Sequence, residues 1–239
     1  MGIKPTSIKD LRYFTTPEHE CSYLEGKRST TLFADPEAII STELYSMLSS
    51  VGFRRSGQHI YRPHCQDCSA CVPVRVAVNQ FKKNRKQNRI WRKNQDLEIF
   101  MVSPEYTDEN YSIFDEYITE RHTDGDMYPA DPDQFRNFLV NGRPEATFCE
   151  FRENGKLVAV CVADVMVDGL SAIYTFFSPE KSRRSLGNFA VLWLIEAAIK
   201  MNKPYVYLGY WIKDCQKMNY KTDYRPIELY YNDKWQLLK

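Results

Sequence analysis

Ten residues carry the densest chemistry in the chain: Arg62-Pro63-His64-Cys65-Gln66-Asp67-Cys68-Ser69-Ala70-Cys71, a C-x-x-C-x-x-C run with a histidine beside it. Thiolates at this spacing can converge on zinc or an iron-sulfur cluster, and Cys21 could supply a distant fourth ligand. The plainer reading is reduced thiols packing a tight turn, because the two well-separated C-x-x-C pairs of a structural zinc site are absent. Cys149, Cys161 and Cys215 stand in strand or loop contexts and read as core or incidental. Around this run, residues 51–93 hold 11 basic residues and one acid, Asp67, leaving 21 basic against 30 acidic residues elsewhere in a chain of net charge +1. Positive charge gathered into one block suggests a polyanionic partner. Its densest part is Lys82, Lys83, Arg85, Lys86, Arg89, Arg92 and Lys93, interleaved with Phe81 and Trp91. Phosphate neutralisation is the chemistry of such an arm. A solvated helix face would mix signs, and from Lys82 to Lys93 there is no acid to do so. Arg54, Arg55 and Arg75 lie among small and apolar residues, where a guanidinium can clamp a carboxylate bidentately or close an internal ion pair. Tyr210 and Trp211 end an aromatic run from Tyr205 and could line an apolar pocket.

The elements that must position these residues follow from periodicity. The chain through Arg28 reads as extended or irregular, with turns at Pro17 and Gly26. Asp35 as cap and Pro36 at the first position predict a helix carrying Ile39, Ile40, Leu44, Met47 and Leu48 and closing at Gly52. Val72, Val74, Val76 and Val78 alternate as in a half-buried strand with Arg75 on its polar face. The arm from Gln80 to Lys93 reads as a solvated, largely helical connector. The expected organisation is therefore a Cys/Arg-rich region (1–80), a basic linking arm (81–100) and a C-terminal unit (101–239). In the last, helices are predicted over Tyr111–His122 and Asp133–Val140, then strands over Ala146–Arg152, Leu157–Met166 and Ser171–Phe177, with hairpin turns at Asn154-Gly155 and Asp168-Gly169. A basic loop from Ser178 to Gly187 leads into a helix, about Asn188–Met201, apolar nearly all round and therefore buried, and then a strand over Tyr205–Tyr210. Meander, basic loop, buried helix and strand is the order of the GNAT acyltransferase fold, whose loop presents backbone N–H groups at a helix N-terminus to a phosphate. The fold class is α+β: a GNAT-like C-terminal domain with a mixed, mainly antiparallel sheet, packed with a smaller N-terminal α/β region carrying the Cys cluster.

Composition bounds the rest. At 239 residues there is room for one large domain or two small ones sharing a core. With 43% hydrophobic and 26% charged residues, disorder and collagen-like repeats are excluded. No run approaches the roughly 20 apolar residues of a membrane span, and Met1 to Asp10 lacks the apolar core of a signal peptide, so the expected location is cytoplasmic, without a membrane partner.

With these residues in view, the chain resembles the bacterial aspartate/glutamate leucyltransferases, relatives of eukaryotic arginyl-tRNA-protein transferases. The resemblance runs from about Cys21 to Leu229. It rests on Cys21-Ser22-Tyr23-Leu24, Gly52-Phe53-Arg54-Arg55-Ser56-Gly57, Tyr61-Arg62-Pro63-His64-Cys65 through Cys71, Tyr174-Thr175-Phe176-Phe177, Ser185-Leu186-Gly187, and Tyr207-Leu208-Gly209-Tyr210 with Met218-Asn219-Tyr220-Lys221. It implies an enzyme that moves leucine from leucyl-tRNA onto the α-amino group of proteins beginning with Asp or Glu, creating a degradation signal. The basic arm would then meet tRNA, with Arg183, Arg184, Ser185 and Gly187 holding its acceptor end where GNAT relatives hold coenzyme A. Arg54, Arg55 and Arg75 would bind the acidic N-terminus, and Tyr174, Phe176, Tyr210 and Trp211 would form the leucyl pocket. The ester is already activated, so the enzyme has to align an amine, accept a proton and stabilise an oxyanion, and no cofactor is required for that chemistry. Two positions depart from the family: Glu25 stands where Pro is usual, and Ser178 where Asp is usual. If that Asp accepts the proton, Glu180, Asp126 or Asp164 must serve here. Eukaryotic relatives are proposed to bind an iron-sulfur cluster or haem through N-terminal cysteines, so metal at Cys21, Cys65, Cys68 and Cys71 would be regulatory. Two other functions compete: a non-catalytic, zinc-containing RNA-binding module and an acetyl-CoA-dependent N-acyltransferase.

Overall fold

The computed structural model describes residues 5–238. Six short strands come first, β1 (Tyr13–Thr15), β2 (His19–Glu20), β3 (Arg28–Ser29), β4 (Thr31–Ala34), β5 (Arg54–Ser56) and β6 (His59–Pro63), with helix α1 (Thr42–Ser50) between β4 and β5. Next come β7 (Val72–Ala77), α2 (Arg85–Lys93), β8 (Glu98–Val102), α3 (Asp108–Arg121) and α4 (Pro132–Phe135), which continues as a wider π turn over Arg136–Val140. The rest is β9 (Ala146–Glu153), β10 (Lys156–Val165), β11 (Gly169–Phe177), α5 (Leu186–Lys200), β12 (Tyr205–Trp211), α6 (Gln216–Asn219), β13 (Ile227–Tyr231) and β14 (Lys234–Leu238).

These strands make an eight-stranded sheet in the order β14-β13-β7-β12-β11-β10-β9-β8, a four-stranded sheet in the order β1-β4-β6-β5, and a two-stranded ribbon of β2 and β3. Neighbours are antiparallel except β11 and β12, and parallel strands need the crossover that α5 supplies. Both faces of the large sheet are covered. On β10, Cys161 and Ala163 point into a core shared with α5 and α2, while Val160 and Val162 point into an aromatic core with Phe114, Phe135 and Phe176. A third core, with Leu44, Tyr45, Leu48, Ile60 and Tyr207, lies between the large sheet, α1 and the small sheet. The mixed α+β class with a mainly antiparallel sheet is thus observed. The Asn154-Gly155 turn joins β9 to β10 with φ of 52° and 80°, the positive pair that a tight primed hairpin requires.

Three expectations differ from the structure. The first helix begins at Thr42, capped by Ser41, whose Oγ accepts from the Leu44 amide at 3.3 Å. Asp35 does not cap it, because its carboxylate takes Arg12 at 2.6 Å and the Glu37 amide at 3.0 Å. Second, the polar face of β7 that carries Arg75 is not open to solvent: Arg75 is buried. Third, a division at residue 81 does not separate two sheets: β7 lies inside the large sheet, between β12 and β13.

The large sheet is interrupted at its centre. β11 and β12 pair over only three positions, Gly169–Ser171 with Tyr205–Tyr207, and beyond them the two strands have no register. β12 is also bulged against β7 between Tyr207 and Gly209, where Gly209 has φ of +82°.

Candidate active site

A polar row crosses the large sheet on the face that meets the small sheet. Asp164 on β10 stands opposite Ser171 on β11, Ser171 opposite Tyr207 on β12, Tyr207 opposite Arg75 on β7, and Arg75 opposite Glu228 on β13. Opposed residues of paired strands share a face, so register alone assembles this row. The small sheet lays Arg54 and Arg55 of β5 over it. Arg55 and Asp164 have fully buried side chains and form a bidentate pair, Nε to Oδ2 and Nη2 to Oδ1, each at 2.6 Å. The Tyr45 hydroxyl donates to Oδ2 of the same carboxylate at 2.7 Å. With both oxygens engaged and no exposed surface, Asp164 is placed as a structural ion-pair partner, not as a proton acceptor for a substrate. Arg55 is likewise spent on Asp164. Arg75 donates from Nε to Glu228 at 2.6 Å and from Nη1 to the Tyr207 hydroxyl at 3.2 Å, with its guanidinium against the Tyr205 and Trp235 rings. It too has an internal partner, so of the three arginines expected to clamp a carboxylate only Arg54 is left over.

Arg54 is 4% exposed. Its Nη1 donates to the Phe53 carbonyl at 2.7 Å, yet Nε and Nη2 have no partner among the described residues. An unmet buried donor of this kind marks either strain or a missing ligand. Lys221, from the turn Tyr220–Asp223 after α6, lies close by and is 5% exposed. Its Nζ donates to the Tyr210 carbonyl at 2.7 Å, and burial, reinforced by the Arg54 charge, brings its pKa down to about 8. The Tyr210 phenol donates to the Gly52 carbonyl at 2.8 Å, and burial holds it well above its ordinary range.

Tyr61 and Tyr210 form one wall of a cleft of about 450 Å³ that also holds Cys21, Cys65, Cys68 and Cys71 and has no Asp or Glu in its lining. The four cysteines therefore do share one cavity. They do not fit a metal centre as they stand: among the described residues no three Cys, His, Asp or Glu side chains converge as ligands. Cys65 faces Ser29 Oγ at 3.6 Å, and burial with the neighbouring thiols pushes Cys71 up to about 12.

The basic arm folds as α2, closed at its start by reciprocal bonds of 2.9 Å between Asn84 and Gln87, a capping box. Ile90 and Gln87 face inward, while Lys82, Arg85, Lys86, Arg89, Arg92 and Lys93 are exposed, four of them lining a shallow surface groove. Lys83 is drawn back to Glu196 and over the Trp91 ring. The loop after β11 is tied to this helix, with Lys93 Nζ donating to the Arg183 carbonyl at 2.6 Å. Arg184 is ion-paired with Asp96 at 2.6 Å and with Glu153, so it is not a free cation, whereas Arg183 is exposed. Ser185, with φ of +55°, turns the chain into α5 without a side-chain cap, and Gly187 sits in the first turn against Phe177. Glu180 and Asp126 are both exposed.

The four aromatics expected to form one pocket are not brought together. Phe176 is fully buried among Phe114 and Phe135, and Tyr174 packs on Phe138 with ring centres 5.5 Å apart. Tyr210 faces Tyr61, while its neighbour Trp211 packs into the core on the α5 side. Sequence reasoning assigned no role to Lys221 or Tyr61. Lysine is so rarely buried that nothing in its neighbours would have singled it out.

The family model described as "Arginine-tRNA-protein transferase, N terminus" matches residues 19–89, and its counterpart "Arginine-tRNA-protein transferase, C terminus" matches 109–231. A protein of Pseudomonas fluorescens (strain Pf0-1) named aspartate/glutamate leucyltransferase is 51% identical over 98% of this chain and 99% of its own length. Proteins of the same name from P. fluorescens (strain SBW25) and Stutzerimonas stutzeri (strain A1501) are 52% and 51% identical over 96% of this chain and 98% of theirs. Among solved structures, the C-terminal domain of an Agrobacterium fabrum lysylphosphatidylglycerol synthetase overlaps 70% of this chain and 51% of its own, with a TM-score of 0.45 at 15% identity, too slight a likeness to argue from. With both halves matched and half of all residues shared over nearly the full length, the chain belongs to the arginine-tRNA-protein transferase family, among the aspartate/glutamate leucyltransferases.

Proposed function

We propose that the protein moves leucine from leucyl-tRNA to the α-amino group of proteins whose first residue is Asp or Glu, producing an N-terminus that marks them for degradation. The amine attacks the ester carbonyl, a C–N bond forms, the bond to the ribose oxygen breaks, and the proton given up by the amine ends on the freed ribose hydroxyl. Because the ester is activated beforehand, positioning supplies most of the catalysis. The structural observation that carries the reading is Arg54: a buried guanidinium with two unmet donors beside a cleft that contains no carboxylate. An acidic side chain entering from the cleft would meet that need.

The exposed face of α2, Arg85, Lys86, Arg89 and Arg92, supports contact with the tRNA backbone. Residues 101–239 together with β7 support a GNAT-like reading, in which β11 and β12 part beyond Ser171 and Tyr207 and α5 begins beside the gap. On this reading Arg183 and the backbone from Ser185 to Gly187 receive the acceptor end. Glu180, exposed in the turn between β11 and α5, is the candidate proton acceptor. No helix among the described residues is long and apolar enough to cross a membrane, and tRNA as donor would place the work in the cytoplasm.

The test is to incubate purified protein with radiolabelled leucyl-tRNA or arginyl-tRNA and peptides beginning with Asp, Glu or Ala. Leucine on the Asp and Glu peptides alone is expected. Transfer of arginine only, or no transfer while tRNA binds, would overturn the proposal and favour an RNA-binding module.

A further inference from the structure

Lys221 has no task in the proposed transfer, yet its surroundings are unusual. Two of its three ammonium hydrogens point at the Tyr210 carbonyl, 2.7 Å away, and at Met218 Sδ, 3.1 Å away. The groups that face it electrostatically are Arg54 of β5 and the thiols of Cys71 and Cys215, and none is a carboxylate. Arg54 itself keeps Nε and Nη2 unmet. Lys221 thus lies in the field of a second buried cation, Arg54, and among the described residues neither belongs to an ion pair, their aromatic neighbours being the Tyr220 ring at 5.3 Å and the Tyr207 ring at 5.1 Å. Every other buried arginine of this face, Arg55 and Arg75, has a carboxylate of its own. Like charges held together out of water are stable when an anion completes them. An approach lies next to both: Tyr61, the cross-strand partner of Arg54, and Tyr210, whose carbonyl takes Lys221, are walls of the acid-free cleft.

We infer that Lys221 and Arg54 together form the receptor for the side-chain carboxylate of the acceptor's first residue, with Lys221 deciding between an acid and its amide. The inference rests on the proposed transfer to acidic N-termini. Arg54 offers Nε and Nη2 side by side, the geometry that takes both oxygens of a carboxylate. Lys221 supplies its third hydrogen to the same group. Asn or Gln would bring an amide NH2 against two cations and leave them unneutralised, so rejection comes from an unmet charge, not from size.

The experiment compares peptides that differ only in beginning with Asp, Asn, Glu or Gln, using leucyl-tRNA with the wild type and with Lys221→Met and Lys221→Gln. Loss of Lys221 should raise KM for the Asp and Glu peptides roughly tenfold or more, the scale of one lost charged hydrogen bond, with kcat and leucyl-tRNA affinity little changed. The Asn and Gln peptides should be unaffected, so the acid-to-amide preference collapses. A structure of the wild type with an Asp-initial peptide supplies a readout independent of any variant: the carboxylate should lie within hydrogen-bond distance of Lys221 Nζ. A carboxylate bound elsewhere, or an unchanged acid-to-amide ratio in both variants, overturns the inference. Should no peptide receive leucine at all, the proposed reaction is what fails. Binding of the Asp and Asn peptides without tRNA then decides Lys221, and equal affinities in wild type and Lys221→Met would refute its role.

Discussion

Replacing Asp164 by Asn removes a charge from a site with no access to water. Arg55 would keep its full charge, trade one of its two 2.6 Å bonds for an opposed NH2 group, and remain inside a core where both side chains are fully buried. Breaking a buried pair from one side costs about 3–5 kcal/mol. For a chain of 239 residues each kcal/mol moves the melting temperature by about 2–4 °C, so the expected fall is roughly 6–20 °C. Calorimetry measures the fall, and leucyl transfer assayed well below the new transition should remain near the wild-type rate per folded molecule. The paired replacement Arg55→Met with Asp164→Leu should recover most of the loss, because apolar substitutes of similar size need no charge balance. What it cannot recover is the Tyr45 hydroxyl, which donates to Asp164 at 2.7 Å and would be left unmet at about 1–3 kcal/mol. A variant Asp164→Asn that melts like the wild type but loses transfer about 100-fold or more would refute this reasoning and return Asp164 to the chemistry.

Reversing two exposed charges of α2, Lys86→Glu with Arg89→Glu, should weaken leucyl-tRNA binding and lower the slope of log affinity against log salt by about 2. An unchanged slope would remove α2 from the tRNA footprint. Arg184→Gln should cost about 1 kcal/mol of stability, since its partner Asp96 is exposed and only the pair with Glu153 is shielded, while tRNA affinity stays nearly constant. Strong loss of tRNA affinity without destabilisation would contradict the pairing. Lys221 should also shape stability against pH: it titrates near 8 when folded and near 10.5 when unfolded, so the folded chain binds fewer protons between those values. That group therefore makes the protein more stable as pH rises from 8 towards 10.5, and Lys221→Met should flatten the trend measured by denaturant unfolding.

The C-terminal half is legible in the sequence because its signals are local. Asn154-Gly155 can close only a tight turn, the strand after it is nearly all apolar, and a helix with no polar side must be covered. The capping box at Asn84 works through residues three apart, and α2 forms within the stretch from Gln80 to Lys93 that reads as helical. What resists reading depends on distant partners. Asp35 looks like a helix cap until Arg12, 23 residues earlier, takes its carboxylate. Arg55, Arg75 and Asp164 look like chemistry because their partners lie 109 and 153 residues away, and nothing near them in sequence discloses those pairs. The expected aromatic pocket failed for a simpler reason: Tyr210 and Trp211 are consecutive on a strand and so point to opposite faces. Lys221 went unassigned because its neighbours in the chain say nothing of the cation that β5 brings beside it.

The position of β7 sets the timetable of synthesis. It pairs on one side with Tyr205–Trp211 and on the other with Ile227–Leu229, so both its edges stay open until more than 130 further residues have left the ribosome. The N-terminal region alone cannot close its part of the large sheet, and a nascent chain halted after α2 would carry a valine-rich strand with two unpaired edges. Truncations near residue 100 should therefore yield an aggregating fragment, and complementary fragments cut there should regain structure only when mixed, as β7 is clasped by strands it never meets within its own half.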